Sequence, residues 1–152
     1  MTTSDTGISR PVPPTSFALV EEICRRAFGF RMLTVLRHDP KAGEIERIHS
    51  TDPEHFPLGG RKPMGPTPWG RLVLHQGRGW WGGSAEAVRW AFPDSATILS
   101  LGYESLLCAP VLNGGRTIGI LSLNDAAGRY SPDDLDPLGV IAQALRDPIL
   151  AP

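Results

Sequence analysis

Two cysteines and four histidines are the first side chains to weigh for chemistry in this chain. Thiol-based reduction needs a nucleophilic cysteine and a resolving partner, because oxygen taken up as a sulfenic acid leaves by disulfide closure. Cys24 falls on the apolar stripe of a helix and Cys108 inside an apolar strand, surroundings that suppress the thiolate and suit a small buried hydrophobe. The two form neither a CxxC pair nor a Cys/His metal pattern. His38, His49, His55 and His75 are scattered without metal-ligand spacing. Asp94, Glu104 and Asp125 read as helix-cap or turn residues. The expectation is a chain with no catalytic residue, no metal and no cofactor.

Binding chemistry has more to work with. After Gly59-Gly60, the pair Arg61-Lys62 would let backbone N–H groups and two cations meet a carboxylate or phosphate. The stretch lacks the spacing and strand-to-helix setting of a phosphate loop, so a solvated basic turn is the simpler reading. All four tryptophans, Trp69, Trp80, Trp81 and Trp90, fall between residues 66 and 103.

The elements that must position these groups centre on residues 105–125, two apolar strands joined by Asn113-Gly114-Gly115, a hairpin signal. Both parities of each strand are apolar, which places the hairpin in mid-sheet with both faces covered. A two-residue Asn113-Gly114 loop would set Pro110 opposite Thr117 in a hydrogen-bonded pair, where proline has no N–H to give. The expectation is therefore a longer loop over 113–116 or a bulge at Pro110. With a register shift by an even number, Ser122, Asn124 and Ile120 share a face with Ser105, Leu107 and Ala109. That face is expected to meet the Trp-rich span, which leaves Cys108 in the core under the helices.

Upstream, Phe17, Val20, Ile23, Cys24, Ala27 and Phe28 recur at helical spacing, with Thr15 or Ser16 as cap and Gly29 closing. Strands follow at 31–38 and 44–50 around an Asp39-to-Gly43 turn, the second polar on one side as an edge should be. Residues 51–68 are rich in proline and glycine and cannot be regular, yet Phe56, Leu58 and Met64 give them something to dock with. Short pieces come next: a helix over 67–76, a strand at Trp80-Trp81, a helix capped by Ser84 and another capped by Asp94 or Ser95. Ser131-Pro132-Asp133-Asp134 starts the last helix, in which Pro137 implies a kink or a later start and Pro148 a stop.

Residues 1–14, with three prolines and few apolar groups, are expected to form a disordered arm, and residues 15–150 one domain. With 15 basic against 16 acidic side chains there is no case for nucleic acid or a membrane surface as partner. No apolar run approaches the ~20 residues of a membrane span and no secretion signal opens the chain, so a cytoplasmic protein is expected.

The runs Gly102 to Val111, Asn113 to Asn124, Tyr130 to Leu135 and Ile141-Ala142 together resemble the C-terminal half of a GAF domain. That pattern has a Ser-led strand ending in Pro-Val, a turn, an Ile-Gly-Val-Leu strand and an aromatic residue shortly before the last helix. The resemblance implies an α+β fold, GAF/PAS-like: a central antiparallel sheet, N- and C-terminal helices on one face, and short helices and loops enclosing a pocket on the other. Residues 124–128 do not supply the cyclic-nucleotide signature of such domains, and no cysteine lies in 51–103 for bilin attachment. Free methionine-(R)-sulfoxide reductases, also lone domains of this type, carry cysteines in pocket-side loops, where this chain has none.

In such a pocket, Trp69, Trp80, Trp81, Trp90, Phe92 and Tyr103 would supply walls and Ser105, Ser122 and Asn124 hydrogen bonds. Arg61 or Arg71 would hold an anionic group. The functional expectation is a non-catalytic small-molecule sensor in signal transduction, its ligand unidentified, passing its signal through a homodimer or a partner signalling protein. The alternatives are a ligand-free dimerisation or docking module and, behind it, a reductase of the kind just named.

Overall fold

The structure, a computed structural model, describes residues 16–151. The expected arm at 1–14 and the Thr15 cap lie outside the described residues. Among these, no helix is long and apolar enough to cross a membrane.

The expected central sheet is present. It has six antiparallel strands: β1 (Met32–Asp39), β2 (Glu44–Ser50), β3 (Arg61–Lys62), β4 (Trp80–Gly82), β5 (Ser105–Asn113) and β6 (Arg116–Asp125), in the order β3-β2-β1-β6-β5-β4. β2 is not the outermost strand as its polar side suggests, because Ile45 and Glu46 pair with Lys62 and Arg61 of β3.

The β5–β6 hairpin turns at Gly114 and Gly115, whose φ angles of 59° and 79° are those a two-residue turn of matching twist demands. Asn113 and Arg116 flank this turn, and an irregularity in the pairing falls between Val111 and Leu112, one residue beyond Pro110. The displaced turn shifts the pairing by an even number and the bulge by one more, so the total is odd. Leu106 therefore faces Asn124 and Cys108 faces Ser122 across the ladder. A one-residue slip exchanges the faces of a strand, and that overturns the expected parity. Leu107 and Ala109 turn to the helices, whereas Leu106 and Cys108 join Ile120 in the core under the Trp-rich span.

The helix layer begins with α1 (Ser16–Ala27), which buries Val20 and Cys24 and closes through the amides of Phe28 and Gly29 on the Cys24 carbonyl. Ile23, expected in the stripe, is exposed. At the other end Ser131 and Asp134 form a reciprocal capping box on a single 3-10 turn. A helix over Leu135–Ala142, interrupted by a turn at Gln143–Leu145, is followed by another over Arg146–Leu150. Pro137 and Pro148 each sit in the first turn of one of these, where a missing N–H breaks no intrahelical bond. Pro148 therefore does not end the helical run as expected.

Over the opposite face lie α2 (Pro68–Gly70), continuing into a wide turn at Arg71–His75, then α3 (Ala85–Ala91) and α4 (Ser95–Ser100). We number the C-terminal helices α5 (Leu135–Ala142) and α6 (Arg146–Leu150). Thr67 caps α2 by accepting from the Gly70 amide at 3.0 Å, and Ser84 caps α3 through the Ala87 amide at 3.1 Å.

Candidate functional site

Between the sheet and the irregular layer lies a cavity of about 20 Å³, room for one water molecule in its present shape. The sheet supplies its floor: Met32, Thr34 and Leu36 from β1, Ile45 and Arg47 from β2, Leu106 and Cys108 from β5, and Ser122 and Asn124 from β6. Phe56, Trp69, Phe92 and Ile98 roof it, and Lys62 closes one side.

Strand alternation explains which cations enter. Lys62 pairs with Ile45 and so shares its inward face, while Arg61 pairs with Glu46 and points out. A second irregularity places Arg47 opposite Leu36 but His49 opposite Val35, skipping one residue of β2. Arg47 faces the cavity by simple alternation with Ile45, and the skipped residue turns His49, which would otherwise share that face, to α1, where it stacks on Phe17 and meets Glu21.

The polar groups around this space are few and incompletely paired. Lys62 Nζ lies 2.9 Å from Asp94 Oδ2 and 4.9 Å from the Phe92 ring centre. Arg47 donates through Nη1 to the Pro57 carbonyl at 3.0 Å and lies over Phe56. Arg47 Nε and Asp94 Oδ1 are buried without a hydrogen-bond partner, and Trp69 Nε1 has only the weakly accepting Cys108 sulfur. Burial lowers the Lys62 ammonium and Arg47 guanidinium from their ordinary values, and Asp94 opposes that in both. Cys108 Sγ is 3.6 Å from Ser122 Oγ, and burial pushes the thiol up to about 11 despite Ser122, Lys62 and the nearby Trp69 indole N–H.

Of the residues expected to bind, Trp69, Phe92, Ser122 and Asn124 line the cavity. The others lie off it. Trp80 stands behind the wall, edge-on to Phe92 at 5.8 Å, and the half-exposed Trp90 stacks on Trp80. Tyr103 is buried in the same core without reaching the space. Trp81 pairs with Leu107 and so turns to the helix side, where its indole donates to the Tyr130 carbonyl at 3.1 Å. Ser105, on the same parity, accepts from the Tyr130 amide. Arg71 is exposed, and Arg61 is held outside by Asp39, Glu44 and Glu46.

Arg47, Thr34 and Cys108 were not expected at the site, and Asp94 was read only as a cap. The Asp94 carboxylate makes no cap bond on α4 and goes to Lys62 instead. Arg47 had one signal available, its position two residues after Ile45 on the same strand face. Among the described residues no group of three or more His, Cys, Asp or Glu is placed to hold a metal ion.

Comparison with known proteins gives a consistent family. A family model described as "GAF domain" matches residues 17–147. No curated protein sequence matches. Among solved structures, the GAF domain of a two-component sensor histidine kinase from Bacillus halodurans is similar at a TM-score of 0.70 and 17% identity, over 88% of this chain and 90% of that one. The GAF domain/HD domain protein from Geobacter sulfurreducens gives 0.68 and 13%, covering 86% and 88%. The free methionine-R-sulfoxide reductase from Neisseria meningitidis, solved with its substrate, gives 0.61 and 21%, covering 88% and 77%.

Proposed function

The chain belongs to the GAF domain family, and from that membership we propose that it is a non-catalytic regulatory module that binds a small molecule between its sheet and its Trp-rich layer. One observation carries the reading: an apolar cavity whose edge holds buried donors poorly served by the protein, Arg47 Nε with no acceptor and Trp69 Nε1 with only the Cys108 sulfur. Buried donors without partners cost about 1–3 kcal/mol each, and a ligand that satisfies them recovers that energy on binding. The similar fold of the domain from a two-component sensor histidine kinase supports a role in signal transduction.

Reductase chemistry is the weaker reading although Cys108 lines the cavity. Its only cysteine partner, Cys24, lies in the core on the other side of the sheet, so no resolving thiol faces it. The test is thermal unfolding together with tryptophan fluorescence against a metabolite panel of anionic, cationic and neutral compounds. Trp69 sits in the wall and reports binding directly. A saturable response from any class supports a ligand module, and silence from all three sinks it. Turnover of free methionine sulfoxide that is lost in Cys108→Ser would instead establish the enzyme.

A second reading, docking through the helix layer, is favoured by the exposed Leu19 and Ile23 on α1 and Val140 on α5.

A further inference from the structure

The charges around the cavity do not balance. Lys62 and Arg47 both approach it, and among the described residues Asp94 is the single carboxylate that acts on the pair of them. Arg61, the neighbouring cation, is neutralised three times over on the outer face and contributes nothing inside. One positive charge therefore remains in a largely apolar enclosure, beside a buried donor without an acceptor, Arg47 Nε, and the Trp69 indole N–H, which has only the weakly accepting Cys108 sulfur to meet. An isolated buried charge is costly until a counter-charge joins it.

We infer that the cavity is built for a small monoanion, the carboxylate of a short monocarboxylic acid, held by Arg47, Lys62 and the Trp69 indole N–H with its tail against Ile45 and Ile98. This rests on the ligand-module reading and adds the ligand's class to it. A carboxylate matches the site in charge and in geometry: it accepts from a guanidinium, an ammonium and an N–H donor at once. A dianion would overcompensate one net charge. At about 20 Å³ the cavity has to widen to admit even the shortest acid, so affinity is expected to fall as the tail lengthens.

The experiment follows Tm of the whole chain at constant ionic strength with formate, acetate, propionate and butyrate. The corresponding neutral amides, chloride and nitrate are titrated in parallel. The expected result is a saturable rise of about 5 °C or more with the acids and none with the amides. Arg47→Met is expected to weaken the response at least about tenfold. Amides that act as well as acids, or chloride and nitrate that match them, overturn the inference while leaving a ligand module standing. Silence to the acids with a response to neutral or cationic metabolites does the same, and silence to everything removes both. If Arg47→Met does not fold, the acid-against-amide comparison on the unaltered chain decides alone.

Discussion

Three buried acids sit in the two cores of this domain in forms that only their neutral state tolerates. Burial raises Cys24 to about 12 and Cys108 to about 11, and it raises Tyr130 further. The Tyr130 hydroxyl also donates to the Gly29 carbonyl at 2.8 Å, a bond that the phenolate cannot make. All three shifts have one sign: the folded state holds its proton more tightly than the unfolded chain does. Their contribution is complete below the ordinary thiol value of 9.0 and is lost as pH rises through the folded values. Urea unfolding should therefore show stability falling steadily above about pH 9, with a shallower fall in Cys24→Ala and in Tyr130→Phe. A flat profile to pH 11 in the unaltered protein would falsify the account. At this scale the sequence was readable in part. The apolar neighbours of both thiols announced their burial, but the core that Cys108 joins depended on a bulge that Pro110 signalled only as an alternative to a longer loop, whereas the structure shifts both the turn and the pairing.

Each element here is specified by patterns of two kinds, and only one of them is visible without coordinates. Caps and turns declare themselves locally: Thr67, Ser84, Ser131 and Gly114-Gly115 perform the roles that their types suggest. Register depends on where an extra residue is inserted: the insertion at Val111/Leu112 brings Cys108 into the site, and the one at Val35/Leu36 takes His49 away from it. Beyond the reach of β4, the outer edge of β5 is covered by a side chain. Gln143 donates to the Pro110 carbonyl at 3.0 Å and accepts from the Leu112 amide at 2.9 Å, replacing a strand and blunting an edge that would otherwise pair with another chain. The roof of the cavity depends on close backbone approach. A Cβ on Gly70 would lie 1.9 Å from the Met64 carbonyl oxygen, whereas one on Gly139 in α5 meets nothing within 4 Å. Gly70→Ala should therefore cost about 2–3 kcal/mol by overpacking, and Gly139→Ala should gain about 0.5–1 kcal/mol from helix propensity. Urea midpoints for the pair measure both, and equal effects would refute a roof fixed by Gly70.

At the scale of the molecule, one sheet separates two cores of different character. The helix-side core buries no charged side chain among its cluster, only uncharged groups such as Ser105, Cys24 and Tyr130, and the other encloses Arg47 and Lys62. The two-sided apolar hairpin made this layering legible before any coordinates, because strands without a polar parity must be covered twice. The outer surface of the helix layer was less legible, since the spacing of α1 assigns Ile23 to its buried stripe. Instead Ile23 is 46% exposed and Leu19 50%, one turn apart, and α5, which packs beside α1, leaves Val140 77% exposed. Elsewhere α1 presents charge, with Glu22 and Arg26 paired at 2.6 Å, so these apolar positions stand out against a solvated background. A surface of this kind fits a second copy of the chain, which would route a change at the cavity through the sheet to a helical interface. A stable pair needs about 800 Å² from each partner, more than three side chains supply, so we expect an association that depends on concentration. Sedimentation from about 1 to 100 µM should show the mass rising towards twice that of the chain. Leu19→Glu combined with Val140→Glu should hold it at one chain without lowering Tm. A single mass across the range, or association unchanged in the double variant, would show that these helices face only solvent.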